Sequence, residues 1–437
     1  MMSFDPQAKE LNSIIQLENP TVLKLLSNKG KTVYFPKQGI LSQSSEAKGK
    51  EINATIGTAL EDNGSPMVLE SIDSLVLLKE KEGFSYASSY GRAEIRSAWK
   101  DVLTKKNPSL DGKSFSLPVV TSALTHGLSM AGYLFIDKND SIISPNYYWE
   151  NYDLIFKHGY NGIIKTFPLF TSESGFNVEG LKEKIFEGGI GKKIIILNFP
   201  NNPTGYTVTN NEAQQIKDVL IEAADKGNEI VAFIDDAYFG LVFENGILME
   251  SMFSLLANAH ENILAIKFDG PTKEDYVWGF RVGFITFGTA NGSEKLYRAL
   301  EAKLAGAIRG NISNASNIAQ SLLLFAYSSE KYQNEKIQKY QILKKRYQKL
   351  CEIINNHPEY KQFFTPLPFN SGYFMCVKLT SSNTENVRKL LLDKYNTGII
   401  AQGDIIRIAF SSLPFNTIEK LFHNLYCAAR ECSSNYE

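Results

Sequence analysis

The sequence predicts an α/β fold: a large domain built on a mainly parallel sheet flanked by helices, followed by a smaller α+β domain. Three observations carry this expectation. Short, continuously apolar, β-branched runs such as Ile194-Ile195-Ile196-Leu197 and Ile230-Val231-Ala232-Phe233-Ile234 read as strands covered on both faces. Amphipathic stretches such as AQQIKDVLIEAADKG separate them, as β-α-β units require. Past Pro358 the pattern changes to SGYFMCVKL and IIRIAFSSL alternating with NTENVRKLLLDKY and NTIEKLFHNLYCAAREC, which reads as a second, smaller layer.

The bulk properties narrow the partners. With 437 residues, 43% of them hydrophobic, the chain can bury one large core and a smaller one. Lys and Arg number 46 against 47 Asp and Glu, so no basic excess draws nucleic acid or an anionic membrane, and a small-molecule partner is expected. Cys351, Cys376, Cys427 and Cys432 lack the CxxC spacing of a metal site, and so sparse a use suggests a reducing compartment. No apolar run reaches the ~18 residues of a membrane span, and MMSFDPQAKEL has no signal-peptide core, so the cytoplasm is expected.

In chain order, the first fifty residues mix short helical patterns with loop-like KGKTVYFPKQG and LSQSSEAKGKE and read as an arm. The expected division is an arm with part of the small domain over 1–67, a large domain over 68–330 and the small domain over 331–437. From about residue 90, helical and strand patterns alternate through SLPVVTSAL, LTHGLSMAGYLF, SIISPNYY, GIIKTFPL, KKIIILNF, IVAFIDDAY, ILAIKFDG and FRVGFITFG. Over 331–355, Ile337, Tyr340, Leu343, Tyr347, Leu350 and Ile354 recur at steps of three or four, the core face of one long helix.

Three strand ends carry polar residues that a sheet interior would not choose. NFPNNPTG comes directly after KKIIIL; proline cannot donate to the ladder and Gly205 permits a positive φ, so the strand ends in a fixed turn. Ligands of open α/β sheets bind at that end. Asp235 and Asp236 close a buried strand, where a carboxylate needs a cation or a donor. Ser122-Ala123-Leu124-Thr125 opens a helical pattern whose free N–H groups and dipole suit a phosphate. Helix capping and ordinary turns explain each of these singly.

A fourth segment, FDGPTKEDYVWGFRVGF, sets Lys273 in a Gly-Pro turn after a strand and Arg281 eight residues later. A lysine for an aldehyde, an arginine for a phosphate, an asparagine and a strand-end Asp-x-x-Tyr together meet the needs of pyridoxal phosphate. With these residues in this order, the chain resembles the fold-type I pyridoxal-phosphate-dependent aminotransferases, and within them the aspartate aminotransferase subgroup, from about residue 50 to the end. The resemblance implies that Lys273 bonds covalently to the cofactor. It further implies that Asp235 faces the pyridine nitrogen, that Asn202 and Tyr238 bond the ring's phenolic oxygen, and that Trp149 stacks on the ring. Ala123, Leu124, Thr125 and Arg281 then cup the phosphate, reached by Tyr86 from a neighbouring subunit. On the substrate side, Gly57 contacts the substrate, Arg407 clamps its α-carboxylate and Arg309, four residues before Ser313-Asn314, binds a distal carboxylate in the partner's site. A homodimer with shared sites is implied, with amino acid and 2-oxo acid substrates exchanged by ping-pong transfer.

Two departures from the family pattern stand out. Gly270 occupies the place of a phosphate-binding serine, which leaves Thr272 or Thr125 to supply the hydroxyl. Tyr152 occupies the place of a histidine that supports the pyridine-binding aspartate. GGIGKK at 188–193 precedes a strand and lacks the spacing of a phosphate loop, no histidine constellation suits a metal or a hydrolase, and Lys267 sits inside a strand pattern, which favours Lys273. Two alternatives use the same residues: a lyase or β-decarboxylase on this fold, and a cofactor-binding sensor, which would need a DNA-binding segment that the first fifty residues do not display.

Overall fold

The computed structural model describes residues 5–18, 31, 40–55, 57–73, 80–83 and 85–434. Much of the expected arm, including most of KGKTVYFPKQG, lies outside the described residues. The strands are β1 (Ile52–Asn53), β2 (Val119–Thr121), β3 (Ser141–Pro145), β4 (Ile163–Phe167), β5 (Lys192–Asn198), β6 (Glu229–Asp235), β7 (Ile263–Asp269), β8 (Gly283–Gly288), β9 (Phe364–Pro366), β10 (Phe374–Leu379), β11 (Thr397–Gly398), β12 (Ile400–Gln402) and β13 (Ile405–Ala409). The longer helices are α1 (Pro6–Glu18), α2 (Ala93–Lys106), α3 (Ala123–Phe135), α4 (Val178–Phe186), α5 (Asn210–Asp225), α6 (Glu294–Asn311), α7 (Asn317–Tyr327), α8 (Tyr332–Asn356), α9 (Thr384–Asp393) and α10 (Ile418–Ser434).

Seven strands form the main sheet in the order β2-β8-β7-β6-β5-β3-β4. The pairs among β3, β4, β5, β6 and β7 are parallel, and β8 alone runs against its neighbours β7 and β2. Alternation along β5 explains why its apolar run is continuous. Ile195 and Leu197 enter one core with Leu181, Ile216 and Leu220, while Ile194 and Ile196 enter the opposite core with Leu128, Leu304 and Ile308. Helices α4 and α5 thus cover one face and α3 and α6 the other, so each β-branched side chain finds a dry partner. Thr209 and Glu212 start α5 with a reciprocal capping box.

The second sheet, β12-β13-β10-β9, is wholly antiparallel and packs under α8, α9 and α10. The chain's early segment joins this C-terminal layer: β1 pairs in parallel with β11, Ile52 opposite Thr397. Helix α8 runs where the Tyr and Leu periodicity placed it, burying Leu343, Tyr347 and Leu350 in the core shared by both layers, but Ile337, counted on that face, is 56% exposed instead. Among the described residues no helix is long and apolar enough to cross a membrane.

Candidate active site

The carboxyl ends of β5 and β6 each deliver a polar side chain to one cleft, and β7 leads into the turn whose Thr272 and Lys273 line it. At the end of β5, Asn198 donates from Nδ2 to the Asp235 carbonyl at 2.8 Å and accepts at Oδ1 from the Asn202 N–H at 2.9 Å. It thereby pins the NNPTG turn to β6. Gly205 closes that turn at φ 74°, and a Cβ there would lie 1.9 Å from the Phe374 carbonyl oxygen, so only glycine lets the turn pass beneath β10. The Phe199–Pro200 and Asn202–Pro203 peptides are cis.

Asp235 ends β6 with only 3% of its surface exposed. Burial pushes its carboxyl up, and the Tyr152 hydroxyl, donating to Oδ2 at 2.5 Å, and the Ala237 N–H, donating to Oδ1 at 3.1 Å, pull it back. Tyr152, itself fully buried, therefore fills the place of the family's histidine as a neutral donor. Trp149 meets the Tyr152 ring edge-on at 5.7 Å and lines the cleft. Just past these two rings the chain widens into a π-helical turn over Asp153–His158.

Lys273 sits across the cleft from Asp235, in a single helical turn, Pro271–Glu274, that the Gly-Pro pattern had suggested was only a turn. Its Nζ lies 5.2 Å from the Tyr238 ring centroid. Burial, helped by the Arg281 charge and opposed by Asp235, pushes the amine down to about 8, so roughly a tenth is free base at pH 7. Lys267, the other lysine of this segment, lies in a different setting. It is fully buried, paired with Asp236, 3.4 Å from Asp269, and does not line the cleft.

At one end of the cleft, Ala123, Leu124 and Thr125 begin α3, beside Thr272 and Arg281. A Cβ at Gly270 would come within 2.9 Å of the Val282 carbonyl oxygen, so the family's serine has no room here. The Thr272 hydroxyl, two residues away, is buried without a hydrogen-bond partner, and Thr272 lines the cleft. At the other side Arg407, on β13 and 3% exposed, donates to Asn202 Oδ1 at 3.4 Å and to the Thr55 carbonyl at 3.3 Å, and lies over the Phe374 ring at 4.4 Å. Gly57 abuts the same ring, a Cβ there lying 3.7 Å from Phe374 Cζ. Sequence reasoning missed Asn198 and Phe374; a strand-terminal asparagine four residues before Asn202 was the one available signal for the former.

Tyr86 and Arg309 are not brought to this cleft. Both line a separate hollow with Ser313 and Asn314, and Tyr86 is 91% exposed. Among the described residues no group of His, Cys, Asp and Glu could hold a metal ion.

A lysine of depressed basicity facing a buried carboxylate, with helix N–H groups and a guanidinium at one end, suits a class of enzymes that hold an aldehyde-bearing pyridine phosphate. The orphaned Thr272 hydroxyl, the cationic Arg281 and the buried anion of Asp235 fit the phosphate and ring nitrogen of that group. The family model for aminotransferase class I and II matches residues 50–425, and the chain belongs to that family, whose members depend on pyridoxal 5′-phosphate. Among known proteins it is similar to an aspartate aminotransferase of Bacillus subtilis, 27% identical over 64% of this chain and 67% of the relative. A probable aspartate/prephenate aminotransferase of Aquifex aeolicus is 26% identical over 57% of this chain and 60% of the relative. The chain thus spans about two thirds or less of the length of these relatives. Among solved structures, an aminotransferase from Anaerococcus prevotii superposes with a TM-score of 0.80 at 25% identity, covering 93% of this chain and 99% of the other. The Thermus thermophilus aspartate aminotransferase shares the fold, with a TM-score of 0.73 at 15% identity over 92% and 99% of the two chains.

Proposed function

We propose that the protein is an aminotransferase that moves an amino group from an amino acid to a 2-oxo acid in two half-reactions, with aspartate or glutamate among its donors. The observation that carries this reading is the opposition of Asp235 and Lys273 across one cleft, with Arg407 close enough to bond Asn202. Pyridoxal phosphate, when bound, supplies an electrophilic carbon and a conjugated ring able to take up the electron pair of a broken Cα–H bond. Thr125, Thr272, Arg281 and the first N–H groups of α3 hold its phosphate, Asn202 and Tyr238 its phenolic oxygen, and Trp149 its ring face. Asp235, kept anionic by Tyr152 and Ala237, holds a proton on the ring nitrogen. Lys273 would supply the amine that bonds the cofactor and, as a free base, would take and return a proton at the substrate α-carbon. Arg407 grips the α-carboxylate with its planar fork, which fixes the bond that stands perpendicular to the ring.

The second hollow supports a homodimer with shared sites. An exposed tyrosine and an arginine side by side suit a phosphate and a distal carboxylate presented by another copy of the chain. The division at about residues 67 and 330 is supported by the separation of the seven-stranded sheet from the two smaller ones, and four free cysteines accord with a cytoplasmic setting. Product analysis with and without a 2-oxo acid tests the reaction. Turnover of the amino acid should require the 2-oxo acid; sustained turnover without it, with release of carbon dioxide or ammonia, would instead assign a lyase.

A further inference from the structure

The four-residue turn that bears Lys273 is too short to hold itself. Within it one backbone bond forms, from the Asp275 N–H to the Pro271 carbonyl at 2.8 Å, and a lone turn of helix is unstable in isolation. Its restraint comes from outside, and largely through the two residues after the lysine. Glu274 pairs with Lys106 of α2 and, at 3.1 Å, with Lys336 of α8. Asp275 pairs with the same Lys336 at 2.6 Å and accepts from the Tyr327 hydroxyl at 3.1 Å. Two ammonium and two carboxylate groups thus balance in a largely dry cluster where each acid has more than one partner, the condition under which buried ions are tolerated. Burial alone would push Glu274 up, but Lys106 and Lys336 overcome it and hold the carboxyl well below its ordinary value. None of these residues lines the cleft.

The partners lead to the C-terminal layer. Lys336 lies near the start of the 25-residue α8, which further along donates from Arg346 Nη1 to the Ser411 carbonyl at 2.6 Å and packs on α10. Tyr373, fully buried just before β10, donates its hydroxyl to the Lys273 carbonyl oxygen at 2.7 Å. Strand β10 pairs with β13 so that Cys376 stands opposite Arg407. The layer that presents Arg407 therefore also grips the chain at Lys273 and immediately after it.

We propose that Lys336 and Tyr373 are positioning residues for Lys273, setting the reach of its Nζ and linking that reach to the C-terminal layer that carries Arg407. The proposal rests on Lys273 being the residue that bonds the cofactor. In that step Nζ, as free base, adds to the aldehyde carbon; a C=N bond replaces C=O and one water leaves. A displacement of about 1 Å in such a geometry costs on the order of a hundredfold in rate.

The test uses the full chain, stripped of cofactor and reloaded. The dissociation constant of pyridoxine 5′-phosphate, which lacks the aldehyde, reports the pocket alone, and the rate of borohydride-trappable capture of pyridoxal 5′-phosphate reports the lysine. Lys336→Gln is expected to leave the first within about twofold and to slow the second by about tenfold or more, with Lys336→Arg recovering most of the loss. Tyr373→Phe is expected to show the same split at smaller size, and it carries the test alone if Lys336→Gln does not fold. Unchanged capture in both variants, or affinity and capture falling together, would overturn the proposal. Failure of the unsubstituted protein to bind pyridoxine 5′-phosphate would instead overturn the cofactor reading, and the proposal with it.

Discussion

Tyr152→Phe removes one oxygen from the centre of the site and leaves the ring packing in place. The lost bond is a 2.5 Å O–H···O contact to a buried carboxylate, and Asp235 then keeps only the Ala237 N–H at 3.1 Å among its direct donors. A hydrogen bond to a charged group contributes about 1.5–3 kcal/mol, and its loss raises the Asp235 pKa further in the direction that burial already pushes it. The consequence has a definite sign. In its proposed role Asp235 is an anion, so activity is present above its pKa and lost as pH falls through it; a higher pKa moves the acid limb of the kcat profile to higher pH. At pH 7 the proton shared with the ring nitrogen shifts toward the carboxylate, and kcat should fall roughly ten- to a hundredfold. Steady-state rates at saturating amino acid and 2-oxo acid between pH 5 and 9 measure both effects. Tyr152→His, which restores a donor of the kind the aspartate aminotransferase subgroup uses, should recover the profile. An unmoved acid limb with kcat within twofold would refute the assignment of Tyr152 as the support of Asp235.

Other expectations rest on the same geometry. Borohydride reduction and peptide mapping should place the pyridoxyl group on Lys273, and Lys273→Ala should abolish the label; a label on Lys267 would contradict the ion pairing that holds that residue. Arg309→Ala should lower kcat/KM for aspartate and glutamate by the ~1.5–3 kcal/mol of a charge-assisted bond, about ten- to a hundredfold, with little change for an apolar amino acid, and equal losses would show a structural arginine. Mixing inactive Lys273→Ala subunits with crippled Tyr86→Ala subunits should restore activity through hybrid dimers that contain one intact site; no recovery after verified subunit exchange would separate Tyr86 from the site.

The cofactor end of the site was legible because its residues sit at strand ends, where sequence pattern changes abruptly. The apolar runs leading to Asn198, Asp235 and Asp269 fix the strands, and the residues that end them must lie at the same edge of the sheet. The rest depends on partners far apart in sequence. Tyr373 reaches Lys273 across a hundred positions, and Lys336 reaches Glu274 from a helix whose periodicity speaks only of its core face. The strand pattern set Lys267 aside in favour of Lys273, but it did not reveal that Asp236, just past the end of β6, is its partner. The reversal of β8 was equally hidden, since an apolar run looks the same in either direction. Tyr86 and Arg309 illustrate a different limit: the chain places them together, but in a hollow separate from the cleft.

The pairing of β1 with β11 has a consequence for how the protein comes into being. Ile52, Ala54 and Thr55 are synthesised more than 300 residues before their neighbours Thr397, Gly398 and Arg407. At ordinary rates of synthesis the early segment waits on the order of tens of seconds for its partner. Before that interval ends the seven-stranded sheet has all of its strands, while Arg407 has not been made. A nascent chain can therefore acquire the strand ends that form the cleft before it acquires the layer that presents Arg407. Truncation late in the message would leave a protein of the first kind, with Ile52 and Ala54 uncovered and a ready site for association with other unfinished chains.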